Sequence, residues 1–259
     1  MNVYYVEGFD LQDAWFQCIW NVLDFGVKYK VAKGGSFEGQ YRLEFPFVVI
    51  KIDNPGHRPL IPEIPKHLGL PNVVDMVEGD KTPDDAVGRY FTDYLYNPEM
   101  KGHPDYTYGH RLIGGNVDQV DEAIKMHKRA LQEQKSYEVR ARIGKDLSIE
   151  VATITFAATN QATMEIGMPD DIKLKSPPCL RLIDTKIFEG KLWFFSYFRS
   201  WDLWGGFPTN LGGLQILKEY MAEEIGVPDG GMICMSKGLH LYDHCWKIAE
   251  IRTGKTQEV

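Results

Sequence analysis

Of the four cysteines in this 259-residue chain, Cys18, Cys179, Cys234 and Cys245, one sits where its backbone is constrained by its neighbours. Cys179 follows Pro177-Pro178, which fix φ and withdraw two N–H donors, so the thiol is delivered at a rigid entry to a strand. A fixed thiolate suits nucleophilic chemistry, although a lone cysteine is more often an inert small hydrophobe. Twenty residues later come Arg199-Ser200. A hairpin of that length returns the chain toward the cysteine, bringing two phosphate-binding residue types and a cation that favours the thiolate. The bland reading is a surface arginine ending a strand.

The segment RSWDLWGGFPTN places Asp202, Gly205, Gly206 and Asn210 in an expected loop, where the glycines allow a backbone to approach a ligand closely. Asn210 has two readings of equal weight. Directly before an amphipathic helix it is an N-cap, whereas its carboxamide also matches a pyrimidine edge with adjacent N3–H and O4. His240 and Tyr242 share a face of an extended HLY segment, so both could donate to one ligand oxygen. A metal site at His240 and His244 lacks a helix and a third ligand. A cysteine hydrolase pairing Cys179 with His240 would need an oxyanion site and an acyl substrate, and the phosphate-type Arg199-Ser200 pair argues against it.

The elements that must position these groups are of both kinds. Apolar residues at steps of three and four (Leu11, Ala14, Trp15, Cys18, Ile19, Val22, Leu23) predict a helix over 10–25 that ends near Gly26. Tyr41–Ile50 reads as a strand with an edge or bulge at Pro46. The prolines between Pro55 and Pro83 predict an irregular excursion. Asn116 is the expected N-cap of a helix whose face carries Val117, Val120, Ile124, His127 and Leu131. Leu147–Phe156 reads as a central strand, and Leu180–Ile187 with Leu192–Phe198 as a hairpin around Glu189-Gly190. Leu211, Leu214, Leu217, Met221 and Ile225 mark a helix stopped by Gly226 and Pro228, followed by a strand over 231–237. Without strict βαβ alternation, this is an α+β chain with a mixed or largely antiparallel sheet, and no linker divides residues 1–259.

Composition narrows the function further. With 29 Lys and Arg against 36 Asp and Glu, the net charge is −7, so no general affinity for nucleic acid or anionic lipid is expected. The longest apolar runs, such as LWFFSYF, fall well short of the ~20 residues of a membrane-spanning helix. No CxxC pair or signal-peptide pattern is present, so reduced thiols and a cytoplasmic location are expected.

Taken together, SPPC, RSWDLWGGFPTN and HLY resemble the thymidylate synthase family over about residues 176–246, with fainter echoes at GQYRLEFP (39–46) and YTYGHR (106–111). The flavour is that of its short, divergent archaeal members. The resemblance implies a three-layer domain with a mixed or antiparallel sheet flanked by helices, in a homodimer whose sheets pack back to back. It implies conversion of dUMP to dTMP, with 5,10-methylenetetrahydrofolate or methylene-tetrahydromethanopterin as carbon donor and hydride source, and no metal. Cys179 would add to pyrimidine C6, with Tyr108 near its thiol. Arg199 and Ser200 would hold the 5′-phosphate, Asn210 would read N3–H and O4, and His240 and Tyr242 would bind the 3′-hydroxyl. Asp202 would contact the ring and, with Gly206, the pterin.

The chain also departs from the family pattern. The usual Arg-Arg pair upstream of the nucleophile is replaced by TNQATMEIGMPDD, leaving Arg140, Arg142 or Arg181 as stand-ins, with Lys28 or Lys30 in place of the phosphate-binding arginine of the usual N-terminal loop. Leu180 stands where many relatives have His. No glutamate-bearing helix matches within 55–83, so no general base is named. The chain ends soon after HLYDHCW, without the long tail that closes over the cofactor in longer relatives. A pyrimidine nucleotide C5-hydroxymethylase, in which water captures the methylene, and a noncatalytic nucleotide-binding protein are the alternatives.

Overall fold

The computed structural model describes residues 1–32, 37–64, 72–74, 80–100, 102, 105–143, 148–156 and 162–255, of which 135–143 and 148–156 are described by backbone alone. After strand β1 (Tyr4–Gly8), the Asp10 carboxylate accepts the Asp13 N–H at 2.8 Å and opens helix α1 (Leu11–Phe25), whose expected apolar face is buried. Strand β2 (Val27–Lys30) leads to β3 (Tyr41–Phe45) and β4 (Val48–Ile52). The single strand expected over Tyr41–Ile50 is thus two strands, and they lie in different sheets. Pro46 cannot donate to a ladder, so the chain bends there and changes sheet.

The described part of the proline-rich stretch is irregular, as expected, and is anchored where the Asp84 carboxylate accepts the Leu60 and Ile61 N–H groups at 2.8 and 3.2 Å. Asp84 belongs to helix α2 (Pro83–Tyr90), which runs straight into one π-helical turn, Phe91–Leu95. Helix α3 (Tyr108–Ile113) precedes α4 (Gln119–Glu133). The cap of α4 is Asp118 rather than Asn116, and Val117 is exposed, while Val120, Ile124 and His127 are buried. Gln119, the first residue of α4, bridges Arg111 O and the Glu165 backbone through its amide.

Among the described residues, strands β5 (Lys135–Ile143) and β6 (Ser148–Phe156) pair only with each other, so the strand expected to be central forms half of a two-stranded ribbon. After β7 (Met164–Glu165) come β8 (Leu180–Phe188) and β9 (Lys191–Phe198), joined at Glu189-Gly190 with φ of 50° and 73°. Both positive values belong to the turn that matches strand twist. Strand β10 (Trp201–Asp202), helix α5 (Gly206–Ile225), β11 (Asp229–Ser236), β12 (Leu239–Tyr242) and α6 (Trp246–Thr253) complete the chain.

The larger sheet is six-stranded in the order β1-β4-β11-β9-β8-β7, with β1–β4 and β11–β9 parallel and the other pairs antiparallel. The smaller, β10-β12-β3-β2, is likewise mixed. The α+β expectation with a mixed sheet therefore holds. Along β9, Leu192, Phe194, Ser196 and Phe198 are buried while Trp193, Phe195 and Tyr197 are half-exposed, the period of a sheet covered on one face. The buried side joins the α1 face and Leu211, Leu214, Leu217 and Met221 of α5 in one continuous core.

Candidate active site

Cys179 lies at the entry to β8, and the hairpin brings Arg199 back to it, with the Arg199 N–H donating to Cys179 O at 2.9 Å. The Arg199 guanidinium also donates from Nε to Pro178 O at 3.0 Å and from Nη2 to Pro177 O. The arginine thus fixes the backbone that presents the sulfur. Burial pushes the Cys179 thiol up and Asp202 adds to this, while the Arg199 charge pulls the other way. Cys179 is the only half-exposed cysteine. Burial pushes Cys234 and Cys245 up to about 12, and Cys18 well up, so they are packing groups.

Tyr108, expected near the thiol, accepts the Leu180 N–H at 3.2 Å. It belongs to a group of phenols that sequence reasoning did not assemble. Tyr94 packs edge-on to Tyr108 at 5.0 Å between ring centroids, Tyr90 stacks on Tyr94 at 5.5 Å, and Tyr106 lies 6.2 Å from Tyr108. Burial raises the pKa of all four, and the Cys179 charge raises each further. The available signal was the four-residue spacing of Tyr90 and Tyr94, which puts both on one helical face.

Asn210 lies within α5, not before it, so it is not the cap. Asp202 takes that role from β10, accepting the Gly205 and Gly206 N–H groups at 3.1 and 3.0 Å. The expected loop is correspondingly short, because Trp201-Asp202 is strand and Gly206 already helix. The Asn210 amide is held at both ends: Trp201 Nε1 donates to Oδ1 at 3.0 Å, and Nδ2 donates to the Tyr90 hydroxyl at 2.9 Å. An indole N–H can only donate, which fixes which end of the amide is oxygen. One N–H and one lone pair of the amide are left for a ligand.

His240 is buried, with Nδ1 2.8 Å from Gly238 O. A carbonyl can only accept, so Nδ1 carries the proton and Nε2 is an acceptor. Burial holds the pKa down at about 4, which keeps the ring neutral. The expectation that His240 and Tyr242 both donate to one oxygen is therefore corrected: the two rings do sit together, 4.8 Å apart and edge-on, but the histidine accepts. Burial raises the Tyr242 pKa, and the charge of Arg42, its partner across the β3–β12 ladder, pulls the other way; Arg42 also forms an ion pair with Glu44 at 2.6 Å.

Beside these groups opens a cavity of about 710 Å³, lined by Val73, Val74, Tyr94, Asp202, Trp204 and Ile248 among others. Tyr90, Gly205 and Tyr242 also face it, whereas the Gly206 N–H is held by Asp202. Of the phosphate stand-ins, Arg181 is committed to Asp171 at 2.7 Å, beside the buried Arg111–Asp171 pair. Lys28 lies over the Tyr41 and Trp246 rings and Lys30 over Tyr41. The side chains of Arg140 and Arg142 lie outside the described residues. Among the described residues no cluster of His, Cys, Asp or Glu could hold a metal, and no helix is long and apolar enough to cross a membrane.

Comparison with known proteins converges on one family. The family model described as thymidylate synthase matches residues 154–258. A Methanosarcina acetivorans protein named "Putative thymidylate synthase" is 30% identical over 195 residues, which is 73% of this chain and 78% of that protein. The Methanosarcina mazei protein of the same name is 26% identical over 244 residues, 93% of this chain and 90% of its own length. A third, from Methanosarcina barkeri, is 34% identical over 148 residues, and that alignment spans 57% of its length. Thermostable thymidylate synthase A from Bacillus subtilis superposes with a TM-score of 0.63 at 16% identity, covering 96% of this chain and 85% of that one. At that identity the likeness is one of fold.

Proposed function

Because this chain belongs to the thymidylate synthase family and is a C5 methyltransferase, we propose that it converts dUMP to dTMP through covalent attack by Cys179 on pyrimidine C6. The observation that carries this reading is the Asn210 amide, locked by Trp201 and Tyr90 so that one donor and one acceptor remain. Uracil offers O4 beside N3–H and satisfies both, whereas cytosine reverses the pattern at that edge.

The residues divide the work accordingly. C5 of uracil is a weak nucleophile until a thiolate adds at C6 and makes it enolate-like, the activation that a covalent catalyst supplies. Arg199 favours the thiolate and keeps spare N–H donors beyond those spent on Pro177 and Pro178, so with Ser200 it takes the 5′-phosphate. His240 Nε2 accepts a hydrogen bond from the 3′-hydroxyl, and the Tyr242 hydroxyl completes that contact. Tyr108 buttresses the first peptide after the nucleophile.

The family draws on a folate-type co-substrate, which when bound supplies both the one-carbon unit and the hydride. The cavity fits such a group: apolar and aromatic walls from Val73, Val74, Tyr94 and Trp204 suit a flat heterocycle, and the Asp202 carboxylate matches pterin N–H donors. Methylenetetrahydrofolate and methylene-tetrahydromethanopterin share that ring, so Asp202 and the Gly205-Gly206 turn would serve either. A homodimer is part of the same proposal. On the uncovered face of the large sheet, Tyr5, Val49, Met235, Tyr197 and Leu182 form one apolar row across five paired strands, all half-exposed or exposed. Such a surface suits a second copy of itself.

The test is tritium release from [5-³H]dUMP with each methylene pterin, followed by product identification. Release with dTMP as product is expected, and Cys179→Ser should abolish release while dUMP affinity falls only modestly. A 5-hydroxymethyl product would reassign the second half of the reaction. No release with either pterin, or turnover that survives Cys179→Ser, would remove the reading.

A further inference from the structure

We infer that Tyr90 is a catalytic residue of this chain, donating a hydrogen bond from its phenol O–H to the uracil O4 as negative charge develops there. The inference rests on the dUMP reading above and assigns a role that the Cys179 and Asn210 pair leaves unfilled.

Electron flow sets the requirement. When the Sγ–C6 bond forms, the C5=C6 electron pair moves through C4 onto O4, the thiol proton having passed to solvent, so an enolate oxygen must be stabilised. Asn210 has one N–H to offer, since the other is spent on Tyr90. In that bond the Tyr90 oxygen is the acceptor, so its own proton is directed elsewhere. Among the described residues nothing accepts it. The phenol therefore keeps its proton throughout and donates a hydrogen bond without transferring it.

Four further observations support an O–H turned toward the reacting edge. Tyr90 faces the cavity next to Tyr94 and Asp202, and it lies within electrostatic reach of the Cys179 sulfur. Its ring is seated on Gly213, where a Cβ would come within 2.7 Å of Tyr90 Cδ1 and Cε1. Finally, α2 ends at Tyr90 and gives way at once to the π-helical turn Phe91–Leu95, an irregularity that recurs at functional sites because it re-aims side chains. Burial raises the Tyr90 pKa far above that of a free phenol, consistent with a group that stays protonated.

The test compares full-length wild type with Tyr90→Phe and with 3-fluorotyrosine at position 90, a stronger donor of nearly the same shape. Removal of one donor aimed at a developing oxyanion costs on the order of 100-fold in rate. Tyr90→Phe should therefore lower tritium release from [5-³H]dUMP by about that factor, with a much smaller fall in dUMP binding, because Trp201 still holds Asn210 Oδ1. The fluorinated phenol should restore release to at least the wild-type rate. Unaltered release by Tyr90→Phe, a fall in dUMP binding that accounts for the loss, or a fluorinated variant as slow as the phenylalanine variant would overturn the inference. Absence of release from wild type would instead remove the dUMP reading itself, and this inference with it.

Discussion

At Asn210 one demand for an acceptor and one for a donor meet in a single amide, and the consequence is specificity. In Asn210→Asp both oxygens accept: Trp201 is still served, and the Tyr90 hydroxyl can turn to donate. The remaining acceptor then faces a ring edge that must offer N–H groups, so kcat/KM should shift from dUMP toward dCMP, by at least the roughly tenfold that one mispaired hydrogen bond is worth; an unchanged ratio in competition assays would reduce Asn210 to a packing group. His240 gives a second prediction at this scale. Its folded pKa of about 4 lies below the ordinary histidine value of 6.5, so the unfolded chain binds the proton more readily and stability falls as pH drops from 6.5 to 4. The loss should approach ~3 kcal/mol. Denaturant melts across that window measure it, and His240→Asn, whose amide can still donate to Gly238 O, should flatten the curve. Much of this chemistry was legible in local sequence. Pro177-Pro178 advertised a rigid thiol, and a twenty-residue return brought Arg199 to it. What was not legible was contact across distance: nothing near Asn210 announces that Tyr90, 120 residues earlier, fixes its orientation.

Helix α5 positions both the recognition amide and the tyrosine that holds it. Its N-terminus was misread because Asn210 fits a cap by type, whereas Asp202 reaches over the Gly205-Gly206 turn and starts the helix earlier. Two glycines inside the helix, unfavourable by propensity, have a packing reason. A Cβ on Gly212 would come within 2.8 Å of Val87 Cγ1, and one on Gly213 within 2.7 Å of the Tyr90 ring. They let α2 lie close enough for Tyr90 to touch Asn210. Gly213→Ala should therefore cost ~1–3 kcal/mol of stability despite its better helix propensity, and it should lower turnover more than thermal stability alone explains; a stabilised, fully active variant would refute this account. Elsewhere, period identified strands but not their partners. The hairpin of β8 and β9 was readable from its turn, but the apolar run 148–156 gave no hint that β6 joins β5 in a two-stranded ribbon rather than the large sheet, since strand neighbours are chosen by the whole sheet.

For the whole molecule, the uncovered face of the large sheet is the feature that the monomer leaves unexplained. A charge placed in the apolar row by Tyr197→Lys would be buried and unpaired in a back-to-back dimer, so sedimentation should show a wild-type dimer and a monomeric variant; a monomeric wild type would sink the assembly. The strand order carries one more consequence, in time rather than space. β4 and β9 sit on either side of β11, so the large sheet cannot close until Ser236 has left the ribosome. Until then the parallel β1–β4 pair waits with a bare edge. Such late, nonlocal closure is slow and exposes apolar surface, which makes the nascent chain a natural client for chaperones until its last strands are made.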